Sequence, residues 1–124
     1  VALGVMLGRK GCSKNEIREK LELCFDYDLR QKLSQIRPKY GFDETCQGSV
    51  PQAVIAFLES TDFEDAIRNA ISLGGDADTQ ACITGALAEA HYKHIPDEIA
   101  EFVYKRLTPE IKTVLDQLRE RTRN

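Results

Sequence analysis

Apolar residues recur at helical spacing along nearly the whole chain, and this feature limits the fold more than any other. One stripe, typical of an amphipathic helix, comprises Val50, Ala53, Val54, Phe57 and Leu58. Strand signals are missing, because apolar and polar residues do not alternate over any long run and no Asn-Gly or Asp-Gly pair occurs. A chain of 124 residues is long enough to bury one core. The sequence therefore predicts a single all-α domain over residues 1–124.

Glycines and a capping box define the predicted helix boundaries near the start of the chain. Gly8 and Gly11 are expected to end a first helix. Ser13 and Glu16 have the spacing of a capping box, in which each side chain satisfies an amide of the first turn. The inner face of this second helix is predicted to comprise Ile17, Leu21 and Cys24.

Later boundaries follow from proline and from aspartate. Ser49 and Pro51 are predicted to begin a helix, because proline loses no hydrogen bond in a first turn. Asp62 is predicted to begin the next one, with an inner side of Phe63, Ala66, Ile67, Ala70 and Ile71. Helices are also expected after Pro96 and Thr108. Their predicted inner residues are Ile99, Phe102, Val103, Ile111, Val114, Leu115 and Leu118.

The charge distribution argues against a nucleic-acid partner. The net charge is -3, and the 17 basic residues are scattered among 20 acidic ones rather than gathered into a stripe. Basic residues cluster only at Arg119, Arg121 and Arg123, and we interpret this cluster as a solvated helix end. The four cysteines form no Cys-x-x-Cys pair, so the sequence predicts reduced thiols in a cytoplasmic protein and no zinc site.

The chain opens on an apolar segment, residues 1–7, that lacks an initiator methionine. This segment is too short to span a membrane and lacks the features of a signal peptide, so no membrane association is expected. It has the pattern of the last turns of a helix, and the chain is therefore expected to be a C-terminal fragment. Such a fragment should expose apolar surface, through which we expect a homo-oligomer to form.

The most informative segment is Gly74-Gly-Asp-Ala-Asp-Thr79, between a predicted helix end and a predicted helix start. Glycine readily adopts the left-handed conformation that ends a helix, and it allows the backbone to direct two nearby carboxylates at one point. Asp76, Asp78 and Thr79 would offer three oxygen ligands, which suit a hard cation such as Mg²⁺ or Mn²⁺. A simple helix cap is the alternative, since aspartate is a common N-cap.

This segment, followed by Ala81-Cys-Ile-Thr-Gly85 and continuing to Tyr92, resembles the C-terminal signature of the ADP-ribosylglycohydrolase family. The runs 46–60 and 62–73 are similar to the helices that precede this signature in the family. The resemblance is specific over residues 46–99 and looser over 1–45. It implies the C-terminal portion of an all-helical fold that holds two Mg²⁺ or Mn²⁺ ions at the base of a cleft.

The family resemblance also implies roles for individual residues. Asp76 and Asp78 would be the catalytic metal ligands, with Asp78 bridging the two ions and Thr79 adding its hydroxyl. The partner would be ADP-ribose or an ADP-ribosylated protein, hydrolysed at the anomeric carbon of the ribose. Gly74 and Gly75 beside the acids are further candidates for substrate contact. Ser49 is another such candidate, because a helix N-terminus can receive a phosphate or a ribose, although ordinary capping would also explain it.

Two departures from the family pattern separate the possible functions. Ala77 stands where relatives usually carry Thr or Ser, and nothing in residues 1–124 matches the Thr-Asp-Asp type motif of the family's N-terminal half. The chain alone is therefore expected to be inactive, since two carboxylates and a hydroxyl cannot satisfy two divalent ions. A non-catalytic module that binds ADP-ribose or another protein is the alternative. A helical interaction domain with a fortuitous signature is a third reading.

Overall fold

The computed structural model describes residues 1–122 and is helical, as predicted, with no strand among those residues. The helices, in chain order, are α1 (Ala2–Arg9), α2 (Lys14–Phe25), α3 (Leu33–Ile36), α4 (Cys46–Leu58), α5 (Phe63–Ile71), α6 (Ala77–Tyr92), α7 (Asp97–Arg106) and α8 (Pro109–Thr122). No helix in this described part is long and apolar enough to cross a membrane. The all-α class is therefore confirmed.

The chain divides into two compact units, residues 1–94 and 95–124. The first unit contains α1 to α6 and the second contains α7 and α8. The assignment of one domain to the whole chain stays a prediction.

Helix α6 lies at the centre of the first unit and packs against α1, α4 and α5. Helix α4 is buried on more than the predicted stripe, because it also packs against α3 and α5. The buried apolar side chains of this unit include Ile17, Leu21, Leu33, Val54, Ile55, Phe57, Ala66, Ala70, Leu87 and Ala88. The N-terminal end of α6 carries the predicted acidic segment.

Gly8 does not end the first helix, which continues to Arg9; the left-handed residue that follows is Gly11, with φ of 81°. Gly4 and Gly8 are both buried on the face that α1 turns towards α6. A Cβ atom on Gly8 would lie 3.2 Å from the backbone nitrogen of His91 and 3.3 Å from the carbonyl carbon of Ala90. The prediction of a helix break at Gly8 was wrong, because the glycine serves close helix packing instead.

Replacing Gly8 by valine is expected to lower the free energy of unfolding by about 1–3 kcal/mol, because the backbone of α6 cannot move away from a branched side chain. Gly41→Val is the control, since a Cβ atom there meets nothing within 4 Å. The control should change stability by less than about 0.5 kcal/mol. Urea denaturation of both variants measures this difference, and equal stabilities would contradict the packing of α1 on α6.

The capping box at the start of α2 is confirmed, with the Ser13 hydroxyl accepting from the Glu16 amide and the Glu16 carboxylate accepting from Ser13. The predicted start of α4 was wrong by several residues. Helix α4 begins at Cys46, because the Thr45 hydroxyl accepts a hydrogen bond from the Gly48 amide at 3.0 Å. Pro51 therefore lies inside the helix rather than in its first turn.

Asp62 caps α5 as predicted, and its carboxylate accepts from the amide of Asp65 at 2.8 Å. Two residues predicted to face inward are exposed, namely Cys24 at the end of α2 and Ile71 at the end of α5. Each lies in the last turn of its helix, where no neighbouring helix packs over it. All four cysteines are free thiols, in agreement with the prediction.

The second unit consists of α7 and α8. Several side chains predicted to face a core there are exposed, namely Phe102, Val103, Ile111, Val114 and Leu118. That prediction was wrong because a unit of two helices offers each helix too little neighbouring surface to cover a full apolar stripe. Arg119 and Arg121 of the basic cluster lie in the last turns of α8, and Arg123 lies outside the described residues.

Candidate functional site

The turn between α5 and α6 presents the acidic segment at the surface. Helix α5 ends at Ile71, and Leu73 is buried beneath the turn. Gly74 and Gly75 then adopt left-handed conformations, with φ of 74° and 66°, as the sequence predicts. These two residues reverse the chain within a short distance and bring Asp76 to the N-cap position of α6.

Asp76 and Asp78 lie side by side at the start of α6, and we call them the acid pair. Asp76 is the N-cap residue, yet its side chain makes no capping hydrogen bond. A hydrogen bond from the Asp76 side chain lowers the pKa of Asp78 below its usual range. Backbone N–H groups of Asp78 and Thr79 lower that pKa further. The acid pair therefore concentrates negative charge at a helix N-terminus, where the helix dipole favours it.

Thr79 follows the acid pair in the first turn of α6, and its side chain is exposed like that of Asp78. The three predicted oxygen donors thus come from positions 76, 78 and 79, within one turn at the protein surface. Ala77 stands between the acids and offers no side-chain donor or acceptor. The turn can therefore present Asp76, Asp78 and Thr79 outward together.

Gly75 is packed against the segment that follows α3. A Cβ atom on Gly75 would lie 2.8 Å from the carbonyl oxygen of Gly41 and 3.0 Å from the Tyr40 ring. By contrast, a Cβ atom on Gly74 would meet nothing within 4 Å. Only glycine fits at position 75, and the backbone before the acid pair is thereby seated on Tyr40 and Gly41.

Two polar residues beneath the acid pair were not predicted from the sequence. Gln80 is fully buried, and its amide nitrogen donates to the Tyr40 hydroxyl at 2.5 Å. The Tyr40 hydroxyl donates in turn to the carbonyl oxygen of Gly48 in α4 at 3.0 Å. Burial, together with the negative charges of Asp43 and Asp76, raises the pKa of Tyr40, so the phenol stays protonated and keeps its donor.

The N-terminus of α4 is occupied by side chains of the chain itself. Asp43 accepts hydrogen bonds from the amide and the hydroxyl of Thr45, at 2.8 and 2.6 Å, and these contacts lower its pKa. Ser49 is buried, and its hydroxyl donates to the Thr45 carbonyl at 2.6 Å. A substrate contact by Ser49 stays a prediction, and in this conformation its hydroxyl is bonded to the helix backbone.

The donor chemistry of the acid pair fits a hard divalent cation. Two carboxylates in one turn are oxygen ligands of the kind that a hard divalent cation prefers. Within residues 1–122, however, no three His, Cys, Asp or Glu side chains come together in a way that could hold a metal. Asp76 and Asp78 therefore do not form a complete metal site with other acidic, histidine or cysteine side chains of the described residues.

His91, near the C-terminal end of α6, belongs to the core rather than to the acid pair. Its ring packs edge-on against Phe57, with ring centroids 5.5 Å apart. Burial first, and then the charge of Lys14, lower the pKa of His91. We therefore interpret His91 as a neutral side chain that contributes to packing at this end of α6.

The sequence of the chain is similar to those of known proteins. A family model described as ADP-ribosylglycohydrolase matches residues 3–124. A protein of Acanthamoeba polyphaga mimivirus, named "Putative ADP-ribosyl glycohydrolase", is 42% identical over 78 residues, which make up 58% of this chain and 22% of that protein. An uncharacterized protein of Archaeoglobus fulgidus is 36% identical over 73 residues, 58% of this chain and 24% of its own length. No solved structure matches.

The chain thus spans about a quarter of the length of the curated relatives that it matches. The family model, by contrast, extends over nearly the whole chain and includes both compact units.

Proposed function

The chain belongs to the ADP-ribosylglycohydrolase family, and from this premise we propose that it supplies one half of a binuclear Mg²⁺ or Mn²⁺ site. In the complete protein this site would hydrolyse the bond between ADP-ribose and a modified acceptor. The observation that carries the proposal is the acid pair, two adjacent carboxylates presented together by a glycine turn at the start of α6.

The residues of this chain would hold and orient rather than react. Asp76 and Asp78 would provide negatively charged oxygen ligands, with Thr79 adding a neutral one. Bound divalent cations supply Lewis-acid polarisation and lower the pKa of a water molecule. Gly74 leaves open space beside the turn, through which a ribose would approach the acid pair closely.

The incomplete ligand set supports the assignment of only half a site. The acid pair has no third His, Cys, Asp or Glu partner within the described residues, and one carboxylate pair cannot saturate two ions that each need about six ligands. The remaining ligands would come from outside this chain. We therefore propose the activity of the whole enzyme, its ADP-ribosylated substrate and its Mg²⁺ or Mn²⁺ ions together.

The proposal is tested by the release of ADP-ribose from an ADP-ribosylated peptide. The complete protein is expected to release ADP-ribose in the presence of Mg²⁺ or Mn²⁺. This release is expected to stop when the cation is chelated. This chain alone is expected to release none. Release by the chain alone would contradict the assignment of half a site, and release that survives chelation would contradict the role of the cation.

A non-catalytic module that binds ADP-ribose is the second candidate, and Ala77 is the observation that favours it. Relatives that carry a hydroxyl at this position can orient a neighbouring ligand through a hydrogen bond, which alanine cannot make. Calorimetry distinguishes the two candidates. A module would bind ADP-ribose without a divalent cation, whereas the glycohydrolase site would need one.

We also propose that copies of the chain associate through exposed apolar residues. In the second unit, Phe102 and Val114 are 57% and 66% exposed, and exposed apolar side chains would be covered by such an association.

A further inference from the structure

Gln80, which follows the acid pair in α6, belongs to a chain of hydrogen bonds that we call the relay. The relay runs from Gln80 in α6 to the Tyr40 hydroxyl and from there to the carbonyl oxygen of Gly48 in α4. It therefore connects the first turn of α6 to Tyr40, 40 positions earlier, and to the start of α4.

The relay also fixes which way the Gln80 amide faces. Because the Tyr40 hydroxyl donates its proton to Gly48, it can only accept from Gln80, so the amide nitrogen must face the phenol. The other amide atom, Oε1, is buried without a hydrogen-bond partner among the described residues. A buried polar atom left unpaired costs about 1–3 kcal/mol, so an apolar residue at position 80 would serve stability better.

Besides its hydrogen bonds in the relay, Tyr40 lies next to the turn that precedes the acid pair. Its ring and the Gly41 carbonyl press against Gly75, the residue immediately before Asp76. The amide of Ala77 donates to the Gly75 carbonyl and that of Gln80 to the Asp76 carbonyl, both at 3.0 Å. The backbone on each side of Asp76 is thus fixed, by the Tyr40 ring on one side and by Gln80 on the other.

From this geometry we infer that Tyr40 and Gln80 are positioning residues for the acid pair. By locking the turn from Gly75 to Gln80 onto α4, they hold the two carboxylates at one separation and so set their affinity for a divalent cation. The cation itself rests on the function proposed above, whereas the locking of the turn does not depend on it.

Three variants of this chain test the inference: Tyr40→Phe, Gln80→Met and the double variant. Mn²⁺ is the probe. Its affinity is measured as the Mn²⁺ concentration at which the amide signals of residues 74–80 lose half of their intensity in ¹H–¹⁵N spectra. Each single variant should weaken Mn²⁺ binding about tenfold, the size of effect typical of residues that orient metal ligands. The double variant should be no weaker than the singles, because both changes break the same relay.

Stability provides the readout that separates positioning from a purely structural role. Tyr40→Phe leaves the Gln80 amide nitrogen without its partner, whereas the double variant replaces that amide as well. The double variant should therefore be more stable than Tyr40→Phe alone, yet bind Mn²⁺ no better. If its affinity recovers together with its stability, the residues are structural and the inference is overturned.

A measurement without metal keeps the inference independent of the proposed function. Hydrogen exchange at the amides of Ala77 and Gln80 should become faster in all three variants, while exchange in α2 stays unchanged. Unchanged exchange at both amides overturns the inference. If the unsubstituted chain shows no local broadening by Mn²⁺, the proposed cation site fails, and the exchange rates alone decide whether the relay locks the turn.

Discussion

Replacing Asp78 by asparagine in the complete protein is expected to reduce cation-dependent release of ADP-ribose by at least about a hundredfold. Asparagine has nearly the same shape, but it removes one of the two charges of the acid pair. Loss of residues that merely orient metal ligands costs 10- to 100-fold, and loss of a charged ligand should cost at least as much. The measurement is the initial rate of release at saturating Mg²⁺ from an ADP-ribosylated peptide.

Asp62→Asn is the matched control for this substitution. Asp62 lies at the N-cap of α5, where its carboxylate accepts from the amide of Asp65. Asparagine caps a helix about as well as aspartate, so the rate and the stability should both stay near those of the unsubstituted protein. Asp78→Asn is expected to lower stability slightly, because the lowered pKa of Asp78 means that the folded chain favours its charged form. A full rate for Asp78→Asn would contradict its role as a ligand.

The second large effect is expected at Gly75. Alanine there must adopt a left-handed conformation, at a cost of about 1–2 kcal/mol. Its Cβ atom would also lie 2.8 Å from the carbonyl oxygen of Gly41, and relieving that contact should cost about 1–3 kcal/mol more. Gly75→Ala should therefore lower the free energy of unfolding by the sum of both costs. Urea denaturation, monitored by circular dichroism, measures the change.

Gly74→Ala separates these two costs. Gly74 has a similar φ, 74°, but a Cβ atom on it would meet nothing within 4 Å. This variant should lose only the conformational part, about 1–2 kcal/mol. Equal losses at positions 74 and 75 would show that Gly75 is not seated on Tyr40 and Gly41.

Local signals explain the features that could be predicted from the sequence. The capping box at Ser13 and the N-cap at Asp62 depend on residues three positions away, and both are present in the structure. The same holds for the left-handed Gly74 and Gly75, whose conformations follow from the helix end they form. The all-α class and the placement of the acidic turn between two helices were accessible because short-range rules decide them.

Features that depend on distant residues could not be predicted. Gln80 and Tyr40 are 40 positions apart, and no sequence pattern connects them. Glycine commonly ends a helix, but Gly8 lies inside α1, where it allows close packing against the backbone of α6. The start of α4 was misplaced because Pro51 is a strong local signal for a first helical turn. The helix begins earlier because the Thr45 side chain caps it.

Burial in the second unit was overestimated for a related reason. Helical spacing shows which residues of α7 and α8 share a face, but it does not show whether anything covers that face. Phe102, Val103 and Ile111 lie on the predicted apolar faces and remain about half exposed. Periodicity thus predicts the faces of a helix more reliably than the neighbours of each face.

The most direct test of the acid pair as a cation site is paramagnetic broadening of this chain by Mn²⁺. In ¹H–¹⁵N spectra, substoichiometric Mn²⁺ is predicted to broaden the amide signals of residues 74–80 first. The effect should disappear when Asp76 and Asp78 are both replaced by asparagine and should persist in Asp62→Asn. Broadening that is centred elsewhere, or that survives loss of both carboxylates, would contradict the account.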